Sequence, residues 1–376
     1  MSPQPGAILP NATLTQSVTS TPASPTLPIH PTHTTVDPSI GAPKAWLDAT
    51  RLVAAVFKSG RSYLESQGFV EVMTPHLVRA SGACENVNTL FEVAVDEDTK
   101  WFNGRRAYLS QTGQLYLEAL VPTLGKVYCS GPSFRAEPIA DARHLVEFQM
   151  MEIEFPGSFD DLLGYINGFV YAIAQDIANA QDPATLGLIA ADIERLKACP
   201  KVFDRITYDE AIEELQKLGN RIEWGDDISS ALERILIQHH GNAPVFITRY
   251  PDPMVDFGKH IEVEKFFNML PDPENPGRVL SSDLILPFSG ESVGSAARVH
   301  DADQMQARLL NSRMYKRLLE KGGDIKDFEW YLSRIRAGSV PHAGCGFGMS
   351  RIIQWVRGSE NVMDGTTFPL NRETLI

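Results

Sequence analysis

The chain has 376 residues, 43% of them hydrophobic, and a formal net charge of −13. That length holds one large domain or two modest ones. The charge argues against a general nucleic-acid binder with a basic face, and no apolar run is long enough to span a bilayer.

Residues 1–42 are dominated by Pro, Ser and Thr, with no charged residue before Asp37. Such a segment buries too little apolar surface to offset its ordering entropy, so a disordered tail is expected. It has neither the basic start and apolar core of a secretory signal nor the arginines of a mitochondrial presequence. From Lys44 to Ser66 the pattern is helical, with Leu52, Val56, Tyr63 and Leu64 in one apolar stripe beside Val53 and Phe57. Gly68 ends that helix and Phe69–Met73 reads as a strand. Ser81–Thr89, which contains Glu85, reads as a loop. Lys100–Glu118 then reads as a strand, a turn at Thr112-Gly113 and a helix. Four cysteines, Cys84, Cys129, Cys199 and Cys345, stand without CxxC spacing, as expected of reduced thiols in a cytoplasmic protein.

The most informative stretch follows. Val127–Phe134 reads as an apolar strand and Val146–Phe155 as its return, with Pro138 and Asp141 marking the turn. Phe148, Met150, Glu152 and Glu154 share one face of the return strand; Gln149, Met151 and Ile153 share the other. Arg135, Glu137, Arg143, His144 and Phe148 gather near the turn end. A guanidinium fork suits phosphate oxygens, a carboxylate accepts from an exocyclic amine, and a ring offers a base a stacking surface. The alternative is a charged, solvent-facing hairpin. Residues 158–200 read as helices, with Leu163, Ile166, Val170, Ile173 and Ile177 in a stripe. Residues 201–240 continue as strand and helix. Near the C-terminus, glycines alternate in Gly344-Cys345-Gly346-Phe347-Gly348. Each weakens a strand unless something must approach the backbone closely. The run then turns helical at Arg351, where amides at a helix start favour anions.

Phe134-Arg135-Ala136-Glu137, Arg143-His144 with Glu147-Phe148, and Gly344 to Arg351 about 200 residues on resemble motifs 2 and 3 of class II aminoacyl-tRNA synthetases. Gln67 to Pro75 resembles motif 1. Within that class the chain is most similar to the asparaginyl enzymes, with the aspartyl enzymes next. The likeness is carried by Cys84-Glu85, Leu90 to Val93, Gln111 to Glu118, Trp224 to Asp227, and Trp330-Tyr331-Leu332 leading to Val340-Pro341-His342.

The resemblance implies an α+β fold: an antiparallel sheet flanked by helices, forming a single catalytic domain over 43–376 with a helical insertion near 158–200. It implies ATP and Mg2+ as cofactors and a homodimer built on the first helix. Arg135 would meet the α-phosphate, Arg351 with His144 the γ-phosphate. Arg143 would complete the ATP site, with Phe148 stacking on adenine and Glu137 accepting from its amine. Asp283 and Glu291 would hold the metal. Glu85 and Gln114 would contact the amino group of the substrate amino acid, and Arg298 its side-chain oxygen, with Gly346 leaving room. Where aspartyl enzymes place a lysine, this chain has Leu117, followed by Glu118, a carboxylate that would accept from an amide and repel a carboxylate.

Four features depart from the family. Gly294-Ser295-Ala296 stands where Gly-Gly-Ser is usual, and Ser295 is expected to crowd the amino acid. Phe368-Pro369-Leu370 replaces Phe-Pro-Arg, with Arg372 close behind. The segment between Pro251 and Lys265 is about ten residues long beyond the family pattern; a lengthened surface loop is expected there, the alternative being a lid. The family's N-terminal barrel reads the anticodon, and a barrel needs several alternating strands that residues 1–42 do not offer. The leading expectation is therefore an ATP-dependent ligase that activates aspartate or asparagine and passes the adenylate to ammonia or a small amine, as asparagine-making relatives do. An asparaginyl- or aspartyl-tRNA ligase, with tRNA as partner, ranks second. A silent nucleotide- or partner-binding paralogue ranks third.

Overall fold

The computed structural model describes residues 44–79, 87–95 and 101–374. The expectations for the tail over 1–42 and for Glu85 lie outside them. The strands are β1 (Val70–Glu71), β2 (Leu77–Val78), β3 (Tyr108–Leu109), β4 (Val127–Phe134), β5 (Glu147–Pro156), β6 (Asp204–Thr207), β7 (Val245–Thr248), β8 (Ser281–Leu286), β9 (Gly290–Ala297) and β10 (His342–Gly348). The α-helices are α1 (Lys44–Ser66), α2 (Gln114–Leu124), α3 (Phe159–Ala178), α4 (Ala190–Lys197), α5 (Tyr208–Lys217), α6 (Ser230–His239), α7 (Ala302–Asn311), α8 (Arg313–Glu320), α9 (Glu329–Ala337) and α10 (Met349–Arg357).

Eight strands form one sheet in the order β1-β4-β5-β10-β9-β8-β7-β6. Its six inner strands pair antiparallel, and the two edge pairings, β1 with β4 and β6 with β7, are parallel. β2 and β3 pair separately. The expected antiparallel sheet flanked by helices is thus the architecture seen. The strand expected over Phe69–Met73 shortens to Val70–Glu71.

One face of the sheet carries the main core. The stripes of α1 and α3 meet there: Leu52, Val56 and Leu64 pack with Leu163, Ile166, Val170 and Ile173. Each such buried side chain contributes about 1.5–3 kcal/mol. The stripe of α3 begins behind a capping box in which Ser158 and Asp161 satisfy each other's backbone amides. Phe169 of α3 stacks on Phe347 of β10, centroids 3.9 Å apart. The helical stretch expected as an insertion therefore supplies a central layer of the core.

At the far edge, His240 joins the C-terminus of α6 to its neighbours. Its Nδ1 lies 3.1 Å from Asp204 of β6 and its Nε2 3.0 Å from Glu214 of α5. Burial alone would lower its pKa; the two carboxylates outweigh that and raise it above 6.5. A cation whose folded pKa is raised stabilises fully below its unfolded value and loses that contribution as pH climbs through the folded one. We expect His240→Asn to melt below wild type at pH 6 and to converge with it by about pH 9. Parallel thermal melts check this, and a constant offset would refute it.

Candidate active site

The other face of the sheet is hollow, because β10 presents glycine to it. Gly344, Gly346 and Gly348 stand opposite Glu154, Glu152 and Met150 of β5, while Gly344 and Gly346 stand opposite Ala296 and Gly294 of β9. Cys345 and Phe347 alternate to the core side and are buried there. A Cβ on Gly344 would lie 2.0 Å from Glu154 Cδ and 2.3 Å from the Ile153 carbonyl oxygen. One on Gly346 would lie 2.6 Å from Met150 Cε. The alternating glycines are thus the floor of a cavity of about 510 Å3. The period-two expectation holds: Phe148, Met150, Glu152 and Glu154 all line it.

Most of the residues singled out from sequence converge here. Arg135, Glu137, Arg143, His144, Phe148 and Arg351 line one end; Gln114, Arg298 and Gly346 the floor; Asp283 and Glu291 a side wall.

At the phosphate-suited end, the hairpin loop is organised by Asp141. Its carboxylate accepts from the backbone N–H of Arg143 and His144, at 2.8 and 2.9 Å, and sits 2.8 Å from His144 Nδ1. Burial would raise its pKa, but these bonds bring it below the ordinary value. The C-terminal segment pins the same hairpin: Val146 N–H donates to the Leu370 carbonyl at 2.9 Å and Arg372 to the Pro138 carbonyl at 2.5 Å. Arg372 therefore braces the loop from outside. Arg135 lies over the Phe148 ring, 5.0 Å from its centroid. Arg351 is partly buried at the start of α10 and donates to the Glu291 carbonyl; desolvation lowers its pKa. Arg143 reaches Glu233 of α6 at 3.4 Å. Glu233 went unnoticed in sequence as one of several helix carboxylates, yet burial and the nearby Glu291 charge push it up to about 7.

On the side wall, a Cβ on Gly294 would lie 3.5 Å from Glu291 Oε1 and 3.9 Å from Asp283 Oδ1, so both carboxylates converge on that glycine. No third His, Cys, Asp or Glu completes a metal cluster among the described residues. Two hard oxygens with phosphate and water in the remaining positions suit Mg2+, so the residues fit that ion. Lys265, also unassigned from sequence, puts Nζ 2.5 Å from Asp283 Oδ2 and 3.9 Å from the Tyr250 centroid. Burial pushes Asp283 up to about 6 against the pull of Lys265.

The floor itself carries a buried polar cluster whose pairing is not revealed by spacing along the chain. Arg298 donates through Nη2 to Glu154 at 2.7 Å and to the Gly344 carbonyl at 3.1 Å. Glu154 is raised to about 7 by burial, which outweighs Arg298. Its Oε2 has no hydrogen-bond partner among the described residues. Glu152 accepts from the Gly113 N–H at 2.7 Å and from the Thr112 hydroxyl.

Two expectations change. Glu118 does not line the cavity: its carboxylate accepts from Gln114 at 2.7 Å, Asn268 at 2.9 Å and Tyr331 at 2.6 Å, with His342 Nε2 at 3.2 Å. It sits below the floor and orders its neighbours, so it is not placed to receive an amide directly. Ser295 lines the cavity, but strand parity sets it with Cys345 and its hydroxyl donates to the Ser282 carbonyl at 2.8 Å rather than into the space.

The long segment after Pro251 forms a wall, with Met254, Val263 and Glu264 lining the cavity. It is fastened at several points. Arg308 grips Asp252 with two bonds of 3.0 Å, Arg317 reaches Glu264 at 3.1 Å, and Arg313 donates to the Ile261 carbonyl at 3.1 Å. Its ends are packed as a wall, while Val255, Asp256, Gly258, Lys259 and His260 in its middle are exposed as a surface loop.

Comparison with known proteins accords with this geometry. The family described as tRNA synthetases class II (D, K and N) matches residues 46–372. The chain belongs to the class II tRNA synthetases. It is 36% identical over 321 residues to an asparagine–tRNA ligase of Desulforamulus reducens, covering 85% of this chain and 68% of that one. It is 37% identical over 327 residues to the asparagine–tRNA ligase of Thermococcus gammatolerans, with the same coverage. The asparaginyl-tRNA synthetase of Pyrococcus horikoshii, complexed with asparaginyl-adenylate, superposes with a TM-score of 0.74 at 33% identity, covering 89% of this chain and 70% of that one. As a member of this family the chain is an ATP-dependent ligase that forms an aminoacyl-adenylate and releases AMP and pyrophosphate. These relatives overturn the expectation of an asparagine synthetase-like enzyme that amidates ammonia: they are ligases of asparagine to tRNA.

The two floor glycines should respond differently to substitution. Gly344→Ala drives a methyl into backbone and should cost about 3 kcal/mol or more. Gly346→Ala meets only the mobile end of Met150 and should cost under about 1 kcal/mol. Denaturant midpoints of the two variants check the difference; equal losses would refute the floor geometry.

Proposed function

We propose that this synthetase activates asparagine with ATP and transfers it to tRNA. The observation that carries the choice of amino acid is the charge of the cavity floor. Two buried carboxylates, Glu152 and Glu154, line the floor with the guanidinium of Arg298, and the apolar Leu117 lines it beside them; Glu118, paired with His342, lies behind. An amide side chain offers Arg298 a carbonyl and the carboxylates an N–H. An aspartate would add a further negative charge to that cluster. The asparagine-specific names of its relatives support the same reading.

In the first step the amino acid's carboxylate oxygen attacks the α-phosphorus of ATP and the bond to pyrophosphate breaks. The protein's work is alignment and charge neutralisation. Arg135 holds the α-phosphate, and Arg143, His144 and Arg351 draw the leaving phosphates to the far end. Phe148 stacks on the adenine and Glu137 accepts from its amine. Gln114 takes the amino group, and Gly346 lets the amino acid lie against the floor. Asp283 and Glu291 would hold Mg2+, which when bound neutralises phosphate charge.

A homodimer and a cytoplasmic setting suit this reading. Val70 and Met73, beside the end of α1, are 50% and 87% exposed, an apolar surface that a second copy would cover. Among the described residues no helix is long and apolar enough to cross a membrane.

The test is exchange between ATP and labelled pyrophosphate, followed by charging of tRNA with labelled asparagine. Asparagine should support both, and aspartate neither. Arg135→Ala, at a partly exposed site, should keep the wild-type melting temperature and lose about 100- to 1,000-fold in exchange. Exchange with aspartate alone, or an undiminished Arg135→Ala, would sink the assignment.

A further inference from the structure

Behind the phosphate end of the reaction cavity lies a second cavity of about 200 Å3 that none of the roles above uses. Three arginines line it: Arg143, Arg195 and Arg234. Arg143 lines both cavities, so its guanidinium is the partition between them. Gly290 keeps that partition open. It adopts φ +69°, and a Cβ there would lie 2.3 Å from Glu233 Oε2 and 3.0 Å from Arg143 Nη2.

The arginines are held in place by contacts that leave donors over. Arg195 donates through Nη2 to the Val356 carbonyl at 2.9 Å and to Asp192 at 3.2 Å, and it lies over the Phe288 ring at 5.1 Å. Its Nη1 is buried with no hydrogen-bond partner among the described residues. Arg234 stands at the exposed end, paired at 3.0 Å with Glu360 on the solvent side. Gln238 and Asn242 add neutral polar groups to the lining. Each of the three guanidinium groups meets one carboxylate, Arg143 with Glu233, Arg195 with Asp192 and Arg234 with Glu360, but the buried, unpartnered Nη1 of Arg195 still calls for an acceptor.

We propose that this cavity binds a small phosphate anion, and that pyrophosphate leaving the reaction cavity is its occupant. Its volume admits such an anion and excludes a nucleotide. Its inner end is the arginine that faces the leaving phosphates, and its outer end is an exposed arginine. A row of guanidinium groups from reaction centre to surface offers the departing anion a graded path. The release role rests on the adenylation reading above; the anion site itself does not.

The experiment is calorimetric titration of the full chain with inorganic pyrophosphate, and separately with orthophosphate, while saturating α,β-methylene ATP fills the triphosphate site. Pyrophosphate should still bind, and Arg234→Gln and Arg195→Ala should each weaken it about tenfold while leaving affinity for the ATP analogue unchanged. Arg195 also ties α4 to α10, so Arg234→Gln, at the exposed end, decides the matter if Arg195→Ala folds poorly. Absence of binding to the analogue-filled enzyme, or undiminished binding by Arg234→Gln, would overturn the site. Orthophosphate binding as tightly as pyrophosphate would leave an anion site but overturn pyrophosphate as its occupant. If the ATP analogue itself does not bind, the adenylation reading fails. Pyrophosphate titration of wild type and Arg234→Gln without it then judges the anion site alone.

Discussion

The active cavity depends on one strand that lacks side chains on one face. β10 runs between β5 and β9 in the middle of the sheet, where a strand normally fills both faces. Its odd residues, Cys345 and Phe347, do so toward α3. On the other face, after His342, stand Gly344, Gly346 and Gly348, and any Cβ on Gly344 would collide with the backbone and with Glu154. The empty space is therefore built by the β-ladder itself. Glycine weakens strands; on the opposite face Phe347 is fully buried and stacks on Phe169.

That floor also explains how so much charge survives burial. Arg298 and Glu154 in it and Glu118 and His342 behind it sit together, and each charge has an opposite one within hydrogen-bond reach. Taking one partner away would strand another, which is costlier than never having buried the pair. The cluster thus sets the position of Arg298 rigidly, as recognition of a small polar side chain requires. At the other end, Asp141 and Glu233 position His144 and Arg143 in the same way, and Arg351 is held by the backbone carbonyl of Glu291.

The correction to function has a physical origin. The composition of residues 1–42 carries information about foldability, and none about which nucleophile takes the adenylate. The acceptor was inferred from a tail; the relatives speak through the whole catalytic domain. The expected crowding by Ser295 is limited for a simpler reason: strand parity sets it with Cys345 and the Ser282 carbonyl takes its hydroxyl, which only the pairing register reveals.

By itself the sequence determined the local periods and the chemistry they carry. The stripes of α1 and α3, the β4–β5 hairpin, the face shared by Phe148, Met150, Glu152 and Glu154, and the odd alternation of glycines in β10 all follow from side-chain spacing, which is a local property. The motifs that repeat the family's pattern placed eleven residues that do line one cavity. Only the tertiary structure decided which carboxylates are free. Glu118 lies four residues from Gln114 on α2, but its partners Asn268, Tyr331 and His342 come from segments more than 100 residues away. Lys265 and Glu233 gain their place beside the metal-suited wall and Arg143 in the same way, across the sheet. Hydrogen-bond saturation, burial and the partition between two cavities are sums over distant neighbours, and spacing along the chain does not encode them.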